Sequence, residues 1–352
     1  MRTRIIGSGY ALGEHLVTND DLSRMMDTTD EWIRERTGIE ARYYVERGTT
    51  STELGARASE QALANAGVAK EEVDYVVFAT MTPDYYFPGC GGLLQHRLGL
   101  RHVPALDVRQ QCTGFLYGLS VADAIVRSGL ARTVLLVGAE VHSGFIPWKE
   151  WDFLLRRSDV GPTPEAKAFY SSFRDRAVLF GDAGGAVVLR AEPGDGDRGL
   201  LGFALHSGGE SFEALYVNAA GMAFRPYVSE EQVREARTMP AMNGRSVYRM
   251  ALHLLPEVIR EVCAAHHVEL GEISLIVPHQ ANLRINEAVQ RALGLPDGKI
   301  FNNIARYGNT TAASIPLAYH EAVEQGRIKD GDLVCFAGLG AGFHWGAGLM
   351  RQ

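Results

Sequence analysis

Ala64-Asn-Ala-Gly-Val68, leading into Val73-Asp-Tyr-Val-Val77, reads as a helix end, a glycine turn and a buried strand. About 200 residues later the same phrase returns as Ala264-Ala-His-His-Val268 and Ile273-Ser-Leu-Ile-Val277. Around the first copy, a strand over 73–80, a helix over 90–100 and a strand over 133–139 alternate, the rhythm of an α/β fold with a largely parallel sheet. The repeat extends outward from there. Gln95-His-Arg-Leu-Gly-Leu100 is matched by Gln290-Arg-Ala-Leu-Gly-Leu295. A helical stretch after Cys112 closes at Gly129, and one after Asn309 closes at Gly326, each pair 197 positions apart. Two similar halves, 1–192 and 198–352, are therefore expected, divided within the Gly- and Asp-rich Ala191-Glu-Pro-Gly-Asp-Gly-Asp-Arg-Gly199. In a duplicated fold, equivalent turns approach one axis, which would set Cys112 and Asn309 at equivalent turns facing one cleft.

Composition narrows the classes. The 352 residues are 46% apolar and 22% charged, as in ordinary globular proteins. The longest apolar runs are under ten residues, whereas a membrane span needs roughly 18. No membrane segment or signal peptide is expected, and a cytoplasmic location is. A net charge of −7 disfavours nucleic acid as a partner. Four separated cysteines without a C-x-x-C pair point to reduced thiols. No Cys/His spacing suggests a metal, and neither glycine-rich stretch fits a phosphate loop or dinucleotide site. No cofactor is expected.

Three residues carry candidate chemistry. Cys112, in Leu106-Asp-Val-Arg-Gln-Gln-Cys-Thr-Gly-Phe115, lies between a strand and a helix. A thiol at a helix N-terminus meets unpaired N–H groups, which should lower its pKa from about 8.5. A free cysteine is as often simply buried. His279 follows the strand Leu275-Ile-Val-Pro, at the end where open α/β sheets bind ligands. Asn309, in Tyr307-Gly-Asn-Thr-Thr-Ala-Ala-Ser314, would by itself read as a helix cap. Its correspondence to Cys112 argues for more. The glycines of Phe180-Gly-Asp-Ala-Gly-Gly-Ala186 and Gly338-Leu-Gly-Ala-Gly-Phe-His-Trp-Gly346 should let a backbone N–H approach a reacting carbonyl oxygen.

With these residues in hand, the sequence resembles the β-ketoacyl-acyl-carrier-protein synthase III family along nearly its whole length. The resemblance runs through Asp30-Glu-Trp-Ile-Arg-Glu-Arg-Thr-Gly-Ile39, Ala79-Thr-Met-Thr-Pro-Asp-Tyr-Tyr-Phe-Pro88, the Cys112 segment, Phe180-Gly-Asp182, Val277-Pro-His-Gln-Ala-Asn-Leu-Arg-Ile285, Gly308-Asn-Thr310 and Gly342-Phe-His-Trp-Gly346. It implies a five-layered αβαβα thiolase-like fold, a homodimer and a Cys112-His279-Asn309 site. It further implies an acyltransferase that loads an acyl-CoA primer on Cys112 and condenses it with malonyl-acyl carrier protein. Backbone N–H groups of Cys112 and Ala341 would form the oxyanion hole. Trp32, Arg36 and Arg174 would hold coenzyme A. Phe87 would reach the acyl pocket across the dimer interface, and Arg249 and Arg284 would dock the carrier protein.

Three departures from the family pattern stand out. Ala341 lies where a third glycine is usual, and a positive φ there would strain it. Gln110-Gln111 precede the cysteine where small residues are common. The stretch 141–173 looks longer than usual, and its Phe145-Ile-Pro-Trp-Lys-Glu-Trp-Asp-Phe-Leu-Leu155 must bury its apolar side chains. A helical flap over the substrate tunnel is one expectation; packing on its own half or on a dimer partner is the other. Two alternative activities stay open: condensation with another acceptor, such as a second acyl-CoA, and hydrolysis of a thioester.

Overall fold

The computed structural model describes residues 2–192 and 198–352. The expected boundary at 193–197 lies outside the described residues. Among the described residues thirteen strands run in order: β1 (Arg2–Leu12), β2 (His15–Thr18), β3 (Ala41–Tyr44), β4 (Tyr75–Ala79), β5 (Ala105–Val108), β6 (Thr133–Glu140), β7 (Ala183–Glu192), β8 (Gly199–Ser207), β9 (Leu215–Val217), β10 (Pro240–Met242), β11 (Leu275–Pro278), β12 (Leu333–Gly340) and β13 (His344–Arg351). One sheet has the order β1-β7-β6-β4-β5 and a second the order β8-β13-β12-β11. In the second sheet Ile300 bridges Ile276 in parallel, where a fifth strand would lie. The senses also agree: two antiparallel pairings and then parallel ones in each sheet. The halves are copies of one topology.

The register between the copies differs from the one expected. β4 and β11 start 200 positions apart, as do β6 and β12 and the short 3-10 turns Gln111–Thr113 and Thr311–Ala313. The residue equivalent to Cys112 is therefore Ala312, and Asn309 stands three residues earlier in the same turn. A spacing of 197 survives only at the helix-ending glycines. The second-half helix Ser314–Glu324 has 11 residues against 14 in Gly114–Arg127. A longer connection after Gly326 restores the register.

Period-2 patterning explains the layers, because successive side chains of a strand face opposite ways. Val77, Ala79, Val134 and Leu136 point inward with Phe115, Leu119, Ile315 and Tyr319 of the two central helices. Val76, Phe78, Leu135 and Val137 point outward under the helices Ser51–Ala66 and Cys90–Leu98. In the second half, Val334 and Phe336 face the centre. Cys335, Ala337 and Leu339 face the outer helices Gly244–Ala265 and Leu283–Leu293. The result is helix, sheet, helix pair, sheet, helix. Both faces of each sheet are covered, so truncating Phe336 to Ala should cost about 3–5 kcal/mol. Among the described residues no helix is long and apolar enough to cross a membrane.

The stretch 141–173 packs on its own half. Ile146, Trp148, Leu154, Tyr170 and Phe173 are buried against Leu22, Met25, Met26 and Ile33. Arg156 pairs with Asp21 at 2.7 Å and Arg157 with Glu46 at 2.5 Å. It braces the helix Asp30–Thr37 from beneath. None of its residues lines the cavity that holds Cys112, but Val141, Gly144 and Phe145 line an adjoining cavity. The start of the stretch thus walls that neighbour, while 146–173 packs on the protein and forms no helical cover over Cys112.

Candidate active site

Cys112 sits in the 3-10 turn Gln111–Thr113, between β5 and the central helix Gly114–Arg127. Gln111 holds a φ of 52°, which throws the chain sharply into the turn. The end of β12 comes close against it: a Cβ on Gly340 would stand 3.0 Å from the Cys112 backbone nitrogen. A side chain there would crowd the turn, and the close approach brings the Ala341 N–H onto the Cys112 thiol beside Cys112's own N–H. Ala341 is absent from the residues of positive φ; that conformation falls on Gly342, at 140°. The expected strain at Ala341 does not arise. The glycines at 181–185 serve packing instead. A Cβ on Gly184, for example, would meet the Leu54 carbonyl oxygen at 2.5 Å.

The free thiol is not activated. Burial, with Glu140 adding to it, pushes the Cys112 thiol up to about 12. The sequence-based expectation of a lowered value considered only the N–H groups. Those groups do favour the thiolate, but two of them cannot replace the water lost around a side chain left only 6% exposed.

His279 follows β11 and is fixed by its N–H to the Ala337 carbonyl, at 2.8 Å. Burial lowers its pKa to about 3, so the ring is neutral. Its Nδ1 lies 2.6 Å from Ser314 Oγ, and its Nε2 has no hydrogen-bond partner among the described residues. Asn309 is locked into extended backbone by a parallel bridge to Phe180, donating to the Leu179 carbonyl at 2.8 Å. Its Oδ1 accepts the Thr311 N–H at 2.9 Å. An acceptor occupied in this way leaves the amide's donor end for the cavity. Cys112, His279 and Asn309 all line one cavity of about 750 Å³.

Trp32 and Arg36 line the same cavity. Thr29 caps their helix, accepting the Trp32 N–H at 3.0 Å. The guanidinium carbons of Arg36 and Arg174 lie 4.4 and 4.8 Å from the Trp32 ring centre, within cation–π range, and Arg174 itself is outside the cavity lining. Arg284 lines the cavity and is exposed, while Arg249 is exposed on the helix Gly244–Ala265 and outside the lining. A second cavity of about 650 Å³ adjoins the first, with Met81, Gln111, Leu215, Pro240 and Ala341 common to both. Phe87 is 81% exposed and lines neither cavity of this single chain.

Comparison with known proteins agrees with this arrangement. Residues 106–162 match the model of 3-oxoacyl-[acyl-carrier-protein (ACP)] synthase III, and residues 263–352 match its C-terminal model. The chain is 41% identical to a beta-ketoacyl-[acyl-carrier-protein] synthase III of Rhodospirillum centenum, over all of this chain and 99% of that one. The chain belongs to the β-ketoacyl-[acyl-carrier-protein] synthase III family. The structure of a Thermus thermophilus synthase III superposes with a TM-score of 0.85 at 37% identity, covering 99% of both chains. A synthase III from Aquifex aeolicus gives 0.84 at 36% identity, covering 99% of this chain and all of that one.

In this synthase III family member, several residues around the site went unnoticed in the sequence. Ser314 gave no signal, being one serine at a helix start. Arg245 and Tyr248 line the cavity from the helix Gly244–Ala265; their i, i+3 spacing there is the only hint. Buried His142 stacks on Phe180 with ring centres 4.3 Å apart and hydrogen-bonds the Thr311 hydroxyl. Glu140 ends β6, and its carboxylate accepts from the Thr82 hydroxyl at 2.6 Å and the Met81 N–H at 3.1 Å. Burial raises its pKa to about 7. It ties the Met81 wall of the cavity to the first sheet.

Proposed function

We propose that this protein is an acyltransferase that performs a decarboxylative Claisen condensation of an acyl-CoA primer with malonyl-acyl carrier protein. The carrying observation is one cavity lined by Trp32 and the Arg36 stacked on it together with a buried thiol, a neutral imidazole and a carboxamide. Trp32, flanked by Arg36 and Arg174, offers a face for the adenine ring and charge for the phosphates of coenzyme A. Arg284 at the rim, Arg249 beyond it and the neighbouring Arg245 suit an acidic carrier protein.

Cys112 sulfur attacks the thioester carbonyl of the primer, and the N–H groups of Cys112 and Ala341 receive the developing oxyanion. Coenzyme A leaves as the thiol, taking the proton given up by Cys112. Malonyl-carrier protein then enters. As its carboxylate departs as CO2, the electron pair passes to an enolate whose oxygen is met by hydrogen bonds from His279 and Asn309. The carbanion carbon attacks the acyl-Cys112 carbonyl, and the Cys112 sulfur is released to take up a proton. The neutral state of His279 suits a hydrogen-bond donor that must not hold the malonyl carboxylate as an ion pair.

The reading includes a homodimer. β5 is the exposed edge of its sheet, with Leu106 39% exposed beside the exposed Tyr85, Tyr86 and Phe87. An open edge with apolar neighbours invites pairing with a second copy. Phe87 of one copy would then reach the acyl cavity of the other. The four cysteines are free thiols, in keeping with a reducing cytoplasmic setting.

The test is intact-protein mass after incubation with acyl-CoAs of graded chain length, with Cys112→Ala as control. The expected result is a stable adduct absent from the variant, consumed on adding malonyl-carrier protein to give a β-ketoacyl product. Consumption by a second acyl-CoA instead would mark a different acceptor. Release of free acid by water alone would mark a thioester hydrolase.

A further inference from the structure

The turn at residues 309–314 treats the two donors of the site alike. It meets the acceptor end of Asn309 with a backbone N–H, that of Thr311 on Oδ1 at 2.9 Å. For His279 the corresponding atom is Nδ1, and what meets it is Ser314 Oγ at 2.6 Å. Both partners are buried, Ser314 to 2% and His279 to 4% exposure. A neutral imidazole carries a single N–H, and its second nitrogen is an acceptor. The placement of the hydroxyl proton therefore decides what His279 presents to the cavity.

Ser314 Oγ has one proton and two acceptor positions. The Gln280 N–H points at it from 3.4 Å and occupies an acceptor position. Its own proton has two destinations, His279 Nδ1 at 2.6 Å and the Thr311 carbonyl at 2.8 Å. The carbonyl already receives the Ser314 backbone N–H. It stays satisfied without the hydroxyl, so the proton is free to go to Nδ1. In the opposite tautomer Nδ1–H would donate to Oγ and the hydroxyl to the carbonyl, which turns an Nε2 lone pair on the cavity and gives an enolate oxygen no donor from His279. We infer that the Ser314 hydroxyl donates to His279 Nδ1 and holds the ring as the neutral tautomer whose Nε2–H faces the cavity. Ser314 is then a positioning residue for enolate stabilisation, which rests on the functional reading above for what the Nε2–H meets. Burial of His279, which keeps the ring neutral, is consistent with a fixed tautomer. The ring is set as a donor and not as a base toward Cys112.

Two measurements test this. Ring ¹⁵N shifts of histidine-labelled wild-type protein, with His279 assigned through His279→Gln, identify the protonated nitrogen directly. Protonation at Nε2 is expected; protonation at Nδ1 overturns the inference, whatever the enzyme's substrate proves to be. The second measurement compares Ser314→Ala and the near-isosteric Ser314→Cys in each half-reaction, with thermal melting as the check on folding. Decarboxylation of malonyl-carrier protein by preformed acyl-enzyme should fall about a hundredfold in Ser314→Ala, the scale for losing an oriented donor. Acylation should fall far less. Equal falls in both half-reactions, or a melting loss that tracks the activity loss, would make Ser314 merely structural. If the wild type forms no acyl-Cys112 at all, the functional reading fails and the tautomer is still decided by the shifts.

Discussion

The turns Gln110–Gly114 and Thr310–Ser314 are the same backbone device used twice. Gln111 and Thr311 hold φ values of 52° and 51°, each opening a 3-10 turn that leads into a central helix. Each turn also abuts a glycine in a strand of the opposite half. Gly138 of β6 lies against Ala312, and Gly338 of β12 against Thr113. Their side chains have diverged. The first turn carries a thiol at 112; the second carries alanine at 312 and spends its polar groups orienting Asn309 and His279. Duplication thus supplied two sharp turns at one axis, and substitution gave them different work. The geometry of the candidate site belongs to the pair.

The strongest challenge is to move the nucleophile. In Cys112→Ala with Ala312→Cys, the thiol occupies the same backbone position of the other turn. No acyl adduct should be detectable by intact mass, because Gly340 and the Ala341 N–H serve only the first turn. An adduct at 312 would show that the turns are interchangeable.

A second test asks whether the first turn activates its thiol. With the pKa pushed up to about 12, the thiolate fraction, and so the rate of Cys112 alkylation by iodoacetamide, should rise about tenfold per pH unit between 6 and 9. That is roughly a thousandfold over the range. A plateau below pH 8 would restore the activated thiolate that the sequence suggested.

Asn309→Ala probes the second turn. Decarboxylation by the acyl-enzyme should fall about a hundredfold, well beyond any fall in acylation, since one oriented donor is lost. Similar falls in both steps would tie Asn309 to the first turn's chemistry as well.

The smallest effect concerns packing. A Cβ on Gly138 would stand 2.3 Å from the Ala312 carbonyl oxygen, while one on Gly338 would first meet Thr113 Cγ2 at 3.3 Å. Gly138→Ala should cost about 1–3 kcal/mol in denaturant melts, the scale of overpacking, and Gly338→Ala should cost less. Equal losses would mean that the halves are as symmetric in packing as in topology.

Much of this was legible in the chain itself. Strand and helix periodicity, the glycine-ended helices and the repeated phrases at 64–77 and 264–277 gave an α/β duplication, because local patterning follows from which faces must be buried. Cys112 and His279 could be picked out because each follows a strand at the end where ligands bind, and Asn309 because its correspondence to Cys112, although three residues out of register, named the right turn. The 197-residue correspondence misled because a helix shortened by three residues and a longer connection after it compensate each other. Only the sheets reveal the 200-residue register.

The sequence by itself determined the alternation of elements, the duplication and the identities of the reactive groups, since these depend on residue types and short-range order. Tertiary structure alone decided the charge state of Cys112, the neutrality of His279, the harmless backbone at Ala341 and the resting place of 141–173. Each of these depends on the packed fold: the water lost around Cys112 and His279, the positive φ taken by Gly342 instead of Ala341, and the Leu22, Met25 and Ile33 surface that receives 141–173. No short-range pattern in the sequence records them.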